Sequence, residues 1–564
     1  MRNHRGQIDV RRGSLRTALL VGAASALASG AIAQVGGGLG GAGAPLRMRS
    51  DYFGYAASVS PRVGYSDNIE LAPDGLEEST ALLSTFFSAS AIYSTKRFTG
   101  LINSDIDLTY RTDNDDFSVN QNVGGAGTFT LADNALYLDI AGSTSRQLVG
   151  DNARFSQNLS AARSQRADVH TYSVSPYDYH EFADASSAQL RYRFSEVFID
   201  DDRAGANPFS GDFLNDSRSH EVLASYNTGS RFQRIRVALS GYGNRTVEDG
   251  SVVFPRFEYE QGTVTGEAQV ALSSSFFLSG AVGYDEIDTD TVPEFFDDDE
   301  LSGVFWRAGF TARPGRRSTV RAEYGRRYDD DFIDASLTYD ITSRLTLTAG
   351  AGQRFETRAQ QVNAQFIDQQ RSILEFADRL REGAELDPGA VIGVANRFAY
   401  RTTNAQTAGI GVSKVAYAQL RGAYERTEIS LIANYQDTDF GFRRNETVTA
   451  DLNVRRELSR RLTGYGGVFW RRSDTDIDQA TCVTSPFLFG FDVNDPLFDP
   501  VAACLGFALG NGRTNTVGAR VGAAYRLYQN LSMFAEYSHT KRFADFDLLE
   551  YDENTVLGGL TLEF

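Results

Sequence analysis

Apolar and polar side chains trade places at every second residue through most of this chain. In AQLRYRF, Leu190, Tyr192 and Phe194 fall on one side while Gln189, Arg191 and Arg193 fall on the other. In RIRVALS, Ile235, Val237 and Leu239 oppose Arg234, Arg236 and Ser240, and ASLTYDI, ADLNVRR and GARVGAAYRLY divide in the same way. A period of two marks a β-strand whose two faces meet different surroundings. Tight turns such as STKRF, ARPGRR, ITSR, ELSRR and LYQN alternate with long polar connections over residues 200–217, 288–300, 357–402 and 474–513. Short on one side and long on the other is the habit of an antiparallel transmembrane β-barrel, and the segments after residue 51 predict about 22 strands, within a range of about 18 to 24. The stretch from Asn404 to Asp437 divides poorly and is the weakest pairing. Soluble β-sandwiches and a β-helix also show regular strands, but the uneven loops argue against a fixed repeat.

The chain ends on LGGLTLEF, where Leu560, Leu562 and Phe564 share one side and Val556 continues it. The expectation is an outward-facing closing strand that pairs with the first strand near Tyr52–Ser66, leaving no open edge. The same four residues resemble the C-terminal signal read during outer-membrane insertion.

At the other end, Arg2, Arg5, Arg11, Arg12 and Arg16 precede a short apolar run and the small residues Ala31–Ala33. Residues 1–33 read as a cleaved export signal, and 34–50 as a Gly-rich periplasmic linker. The composition fits many strands: 38 Phe and 26 Tyr against 2 Trp, with 53 Gly and only 12 Pro. Removing the signal takes the formal charge from -18 to -22, because it carries those five arginines and Asp9. So acidic a chain is a poor partner for nucleic acid. Lys96, Lys414 and Lys541 are the only lysines among 55 basic residues, so almost every cation is a guanidinium able to donate several hydrogen bonds in a plane.

SPRVGYSDNIELAP (60–73) and YSVSPYDYHEFADASSAQLRYRF (172–194), with a long outer insertion and a C-terminal run of hairpins, resemble the porin-like β-barrels found with exopolysaccharide and PEP-CTERM (exosortase) systems. The resemblance implies an outer-membrane barrel with a role in polysaccharide export or assembly. It brings no catalytic residues. The implied partners are outer-membrane lipid and lipopolysaccharide, the barrel-assembly machinery, polysaccharide and periplasmic export components.

The lumen is expected to be lined by Arg191, Arg193, Arg234, Arg236, Arg321, Arg455, Arg520 and Arg526 with Glu323 and Glu536. These residues either attract a glycan or neutralise one another and nearby Asp340 and Asp451, and the second role is the cheaper explanation. Acidic clusters at 200–202, 297–300 and 329–331 read as solvated loop surface or as divalent-cation bridges to lipopolysaccharide. Residues 358–402 contain a helix-prone outer loop in which Val362, Phe366, Ile373, Phe376 and Leu380 share a face. Cys482 and Cys504 are the only cysteines, and in an exported chain they predict a disulfide across the loop 474–513. Neither a metal-ligand motif nor a Ser/His/acid spacing is present, so a channel or conduit is expected rather than an enzyme, with no cofactor. The alternative is a non-conducting structural or adhesive barrel that displays its outer loops.

Overall fold

The computed structural model describes residues 47–50, 53–115, 117–148, 154–156, 158, 161–162, 166–200, 216–229, 232, 234–249, 256–290, 301–357, 360, 410–439, 443–477, 483 and 512–564. The strands run in chain order β1 (Arg47–Ser50), β2 (Phe53–Ser66), β3 (Thr80–Ser94), β4 (Phe98–Arg111), β5 (Phe117–Ala132), β6 (Leu136–Leu148), β7 (Arg166–Glu181), β8 (Ser187–Asp200), β9 (Ser217–Asn227), β10 (Ile235–Glu248), β11 (Phe257–Ala271) and β12 (Phe276–Asp290). They continue as β13 (Gly303–Gly315), β14 (Ser318–Arg327), β15 (Asp330–Thr342), β16 (Leu345–Thr357), β17 (Ile410–Tyr424), β18 (Thr427–Asp439), β19 (Arg443–Glu457), β20 (Leu462–Ile477), β21 (Gly512–Arg526), β22 (Leu531–Ala544) and β23 (Tyr551–Glu563).

From β2 to β23 each strand pairs antiparallel with the next, and β23 returns to β2, so the fold is a closed all-β barrel of 22 strands. The closing seam runs from Ser58 opposite Glu563 to Ser66 opposite Thr555, and the Phe564 N–H donates to the Ala57 carbonyl. Below that seam the lower edge of β2 is taken by β1, with Arg47 opposite Tyr55 and Ser50 opposite Phe53. The last residues of the expected linker are therefore a strand, because an uncovered edge at Phe53–Tyr55 offers them hydrogen bonds.

The alternation decides which face is which. On β11, β12 and β13 the apolar residues Val264, Val282 and Val304 are 67%, 60% and 74% exposed, whereas Gln261, Glu267 and Ser279 are at most 8% exposed. A barrel that shows valine and hides glutamate is built for hydrocarbon outside and a polar interior. Aromatic residues gather on the outer face toward both ends. Phe98 lies tilted between Tyr93 and Phe129 at the short-turn end, and Trp306 meets Tyr324 edge-on at 6.1 Å at the other. These are the two interfacial girdles expected of an outer-membrane-type barrel. Val556, Leu560 and Phe564 are exposed on that outer face, with Leu562 on the same side.

The uncertain stretch after Asn404 resolves as the hairpin β17–β18 turning at Glu425–Arg426, with Tyr424 opposite Thr427. The connection expected over 474–513 is shorter than predicted: β20 runs on to Ile477 and β21 begins at Gly512. The signal segment 1–33, most of the helix-prone loop, Cys482, Cys504 and the clusters 201–202 and 297–300 lie outside the described residues.

Candidate functional site

Alternation places Arg191, Arg193, Arg236, Arg321, Glu323, Arg455, Arg520, Arg526 and Glu536 on the lumen face of their strands. Arg234 departs from the expectation. It lies exposed in the short β9–β10 connection, where its carbonyl accepts from the Ala271 N–H. The alternating pattern runs one residue past the strand, so pattern alone did not mark the end.

Several of the inward arginines are held by carboxylates of nearby strands, whereas Arg236 lies 5.2 Å over the ring of Phe277 and Arg520 donates to Asn453 at 2.8 Å. Arg191 donates to Asp139 at 2.8 Å and lies 3.9 Å over the ring of Tyr177, and Arg193 donates to Glu221 at 3.1 Å. The densest group spans β11 to β15. Arg307 lies 2.8 Å from Glu267, 3.0 Å from Glu323 and 3.8 Å from Asp334, while Arg321 lies 2.8 Å from Glu323 and 3.6 Å from Glu267. The Ser279 hydroxyl donates to Glu323 at 2.6 Å. Two guanidiniums lie among three carboxylates, with hydrogen bonds from Arg307 to Glu267 and from Arg321 to Glu323, while Asp334 is reached by charge at 3.8 Å and the Nε atoms of Arg307 and Arg321 are buried without a hydrogen bond. Opposite charges at this range offset part of the cost of sheltering them. Asp340 accepts instead from Thr346 at 2.8 Å, and Asp451 faces the lumen beside Phe469.

Two segments fold into the mouth at the long-loop end. The first comes from the β6–β7 connection. Phe155 reaches the lumen face of β20, 5.0 Å edge-on from Phe469. Tyr551 clamps it there, its hydroxyl accepting from the Phe155 N–H at 2.8 Å and donating to the Phe155 carbonyl at 2.6 Å. Next to it Glu553, only 2% exposed, accepts from Ser156, from Ser66 at 2.7 Å, from Asn158 at 3.1 Å and from Thr555 at 3.1 Å. Ile69, Leu71, Ala161 and Ala162 pack around Leu82 and Tyr551 as a small apolar core inside the mouth. Arg111 ties the same corner through Glu70 and Asp113, and its charge and hydrogen bonds hold the Asp113 carboxyl below the usual carboxylate range.

The second segment is the upper part of β16. Phe355 lies 5.9 Å from the ring of Tyr259 on the lumen face of β11 and 6.0 Å from that of Tyr328, with Ile287, Leu301 and Val412 around them. Beyond the strand, Gln360 donates to Thr246 at 3.0 Å and to the Tyr259 hydroxyl at 3.2 Å. Burial pushes the Tyr328 phenol, in the β14–β15 turn, up to about 12, so it stays neutral in this apolar seat.

Sequence reasoning missed Asp139, Glu221, Glu267, Arg307 and Asp334, and it missed Tyr551 and Glu553. The acids of the wall do alternate with apolar residues, as Glu267 does between Val264 and Val270. Which arginine each one meets depends on strand register, which no single strand contains. The histidines His170, His220 and His539 sit on the outer face, bonded to Thr144, Tyr192 and Asn554 at 2.9, 2.8 and 3.0 Å.

No protein-family model matches the chain, and neither does any curated protein. Solved structures similar to it include the ferric enterobactin receptor mutant R480A of Pseudomonas aeruginosa in complex with enterobactin, at 12% identity and TM-score 0.45, covering 90% of this chain and 81% of that one. The siderophore receptor PirA of Acinetobacter baumannii matches at 8% identity and TM-score 0.46, covering 90% and 80%. The ferric-catecholate import receptor Fiu of E. coli matches at 10% identity and TM-score 0.44, covering 92% and 82%. Likeness at this level assigns neither ligand nor partner to the chain.

Proposed function

We propose that the chain is an outer-membrane conduit for a hydroxyl-rich glycan, working in exopolysaccharide export or assembly, with its short turns and N-terminus in the periplasm and its long loops outside. The observation that carries the reading is the lumen wall, in which Arg191, Arg193, Arg307 and Arg321 are each bound to carboxylates. A wall of paired charges exchanges hydrogen bonds with sugar hydroxyls without holding an ion of either sign. The ridge of outer apolar residues fixes the barrel in lipid, and at the outer rim Asp329 is paired with Arg326 and Asp330 with Lys414. The barrel-assembly machinery would insert the chain through its C-terminal strand, and periplasmic export components would meet the short turns.

The test is swelling of proteoliposomes in a graded series of neutral oligosaccharides. Permeation of the small members with a sharp size limit is expected, whereas exclusion of every sugar would overturn the conduit. A second reading, a non-conducting barrel that displays its loops, is favoured by the two segments folded into the mouth. Exclusion of sugars together with a sealed bilayer would establish it.

A further inference from the structure

Strand β16 changes surroundings along a single face. Leu347, opposite Tyr339, lies on the outer side of the wall, and Phe355 shares that side because four alternations separate them. Yet Phe355 is 4% exposed and packs on Tyr259, a lumen-facing residue five strands away. A lipid-facing side can reach the inner wall only if the strand itself has left the barrel. The pairings locate the departure. β14 pairs with β15 up to Arg327 opposite Asp330, and β16 pairs with β17 up to Thr357 opposite Ile410. Between β15 and β16, however, the ladder stops at Ala335 opposite Ala351. Above that point Asp330–Asp334 has a β-strand partner on one side only.

We propose that the segment from Gly352 to Thr357, carrying β17 with it, is a two-seat flap. In the seat described it crosses the mouth and rests on β10 and β11. In the other it zips onto the free edge of β15 and completes the wall. The existing register, continued upward, sets Ile333 opposite Gln353 and Asp331 opposite Phe355. Each seat satisfies what the other leaves open. The inner seat buries Phe355 and lets Lys414 of β17 bond the Asp330 carboxylate, but it leaves the β16-facing edge of Asp330–Asp334 without a ladder, both polar atoms of the Gln353 amide without a hydrogen bond at 9% exposure, and one Glu248 carboxylate oxygen in the same condition. The outer seat supplies the missing ladder and returns Gln353 to the rim, at the cost of exposing Phe355. Because the inner seat roofs the wall from β11 to β15, exchange between seats changes the width of the mouth. That consequence rests on the conduit reading, whereas the exchange itself does not.

Disulfide trapping tests the exchange in the full chain with Cys482→Ser and Cys504→Ser as background. Ile333→Cys with Gln353→Cys reports the outer seat, and Thr246→Cys with Gln360→Cys reports the inner one. After mild oxidation of the barrel in lipid, both pairs are expected to link, and Phe355→Ala should raise the outer link several-fold while lowering the inner. If the outer pair stays reduced in both backgrounds while the inner pair links, the segment is fixed and the proposal fails. An inner pair that never links overturns it as well. The outer lock should also carry a larger single-channel current than the inner lock, reversibly with reductant, and equal currents would remove the gating role. Absence of current in both locks contradicts the conduit alone and leaves the seats to be judged by the links.

Discussion

Tyr551 and Glu553 show how two side chains on one strand hold a loop inside a barrel. Both project inward from β23, and together they bond the backbone of Phe155 and the side chains of Ser156 and Asn158. Tyr551→Phe keeps the ring in its apolar seat and removes both bonds to Phe155. Leaving buried backbone groups unpaired costs about 1–3 kcal/mol. The expected result is faster hydrogen exchange and new protease cleavage near Arg154, with the barrel still folded; unchanged protection would show that the apolar contacts alone hold the loop. Asp113 makes the same corner pH-sensitive. Its carboxyl titrates below the usual range in the folded chain, so its contribution is fully present above its unfolded pKa of about 3.9 and is lost as pH falls through the lower folded value. The group is largely solvated, so the effect is local loosening of residues 67–80 in acid rather than unfolding. Hydrogen exchange at pH 6 and pH 3 checks it, and Asp113→Asn should abolish the difference.

At the scale of strands, close approach inside the wall sets the strictest requirements. A Cβ added at Gly309 on β13 would stand 2.0 Å from the Ala322 carbonyl oxygen on β14. Because that neighbour is backbone, Gly309→Ala must push two strands apart beside the Arg307–Arg321 network, for which overpacking costs of about 1–3 kcal/mol apply. A lower midpoint in urea unfolding from detergent checks this, and an unchanged midpoint would contradict the fit. The strands themselves were legible in the sequence because each carries its own alternation, as in RIRVALS and GARVGAAYRLY. The order of short turns and long loops was legible for the same reason. The upper part of β16 was not. GQRF alternates like any other strand end, and nothing local says that Phe355 will meet Tyr259 from across the mouth rather than lipid. Arg307 and Glu267 escaped notice for a related reason, since their pairing belongs to the register of β11, β12 and β13 together.

The whole molecule is polarised along its axis. Arg316, Arg317, Arg344, Arg460 and Arg461 stand exposed in the short turns, while Glu77, Glu78, Asp113, Asp329 and Asp330 crowd the long-loop end. Such a field should make ion current through the barrel unequal in the two directions at low salt, and about 1 M salt, where the screening length is about 3 Å, should largely abolish the inequality. A current symmetric at every ionic strength would mean that neither rim lies near the conducting path. The central claim is that the closed 22-stranded wall surrounds a usable passage. Single-channel recording of the purified, folded wild-type barrel in planar bilayers tests it most directly. Discrete, stable conductance steps that grow on Tyr551→Phe are the result this account predicts, and a correctly folded barrel that leaves the bilayer sealed in both forms would contradict it.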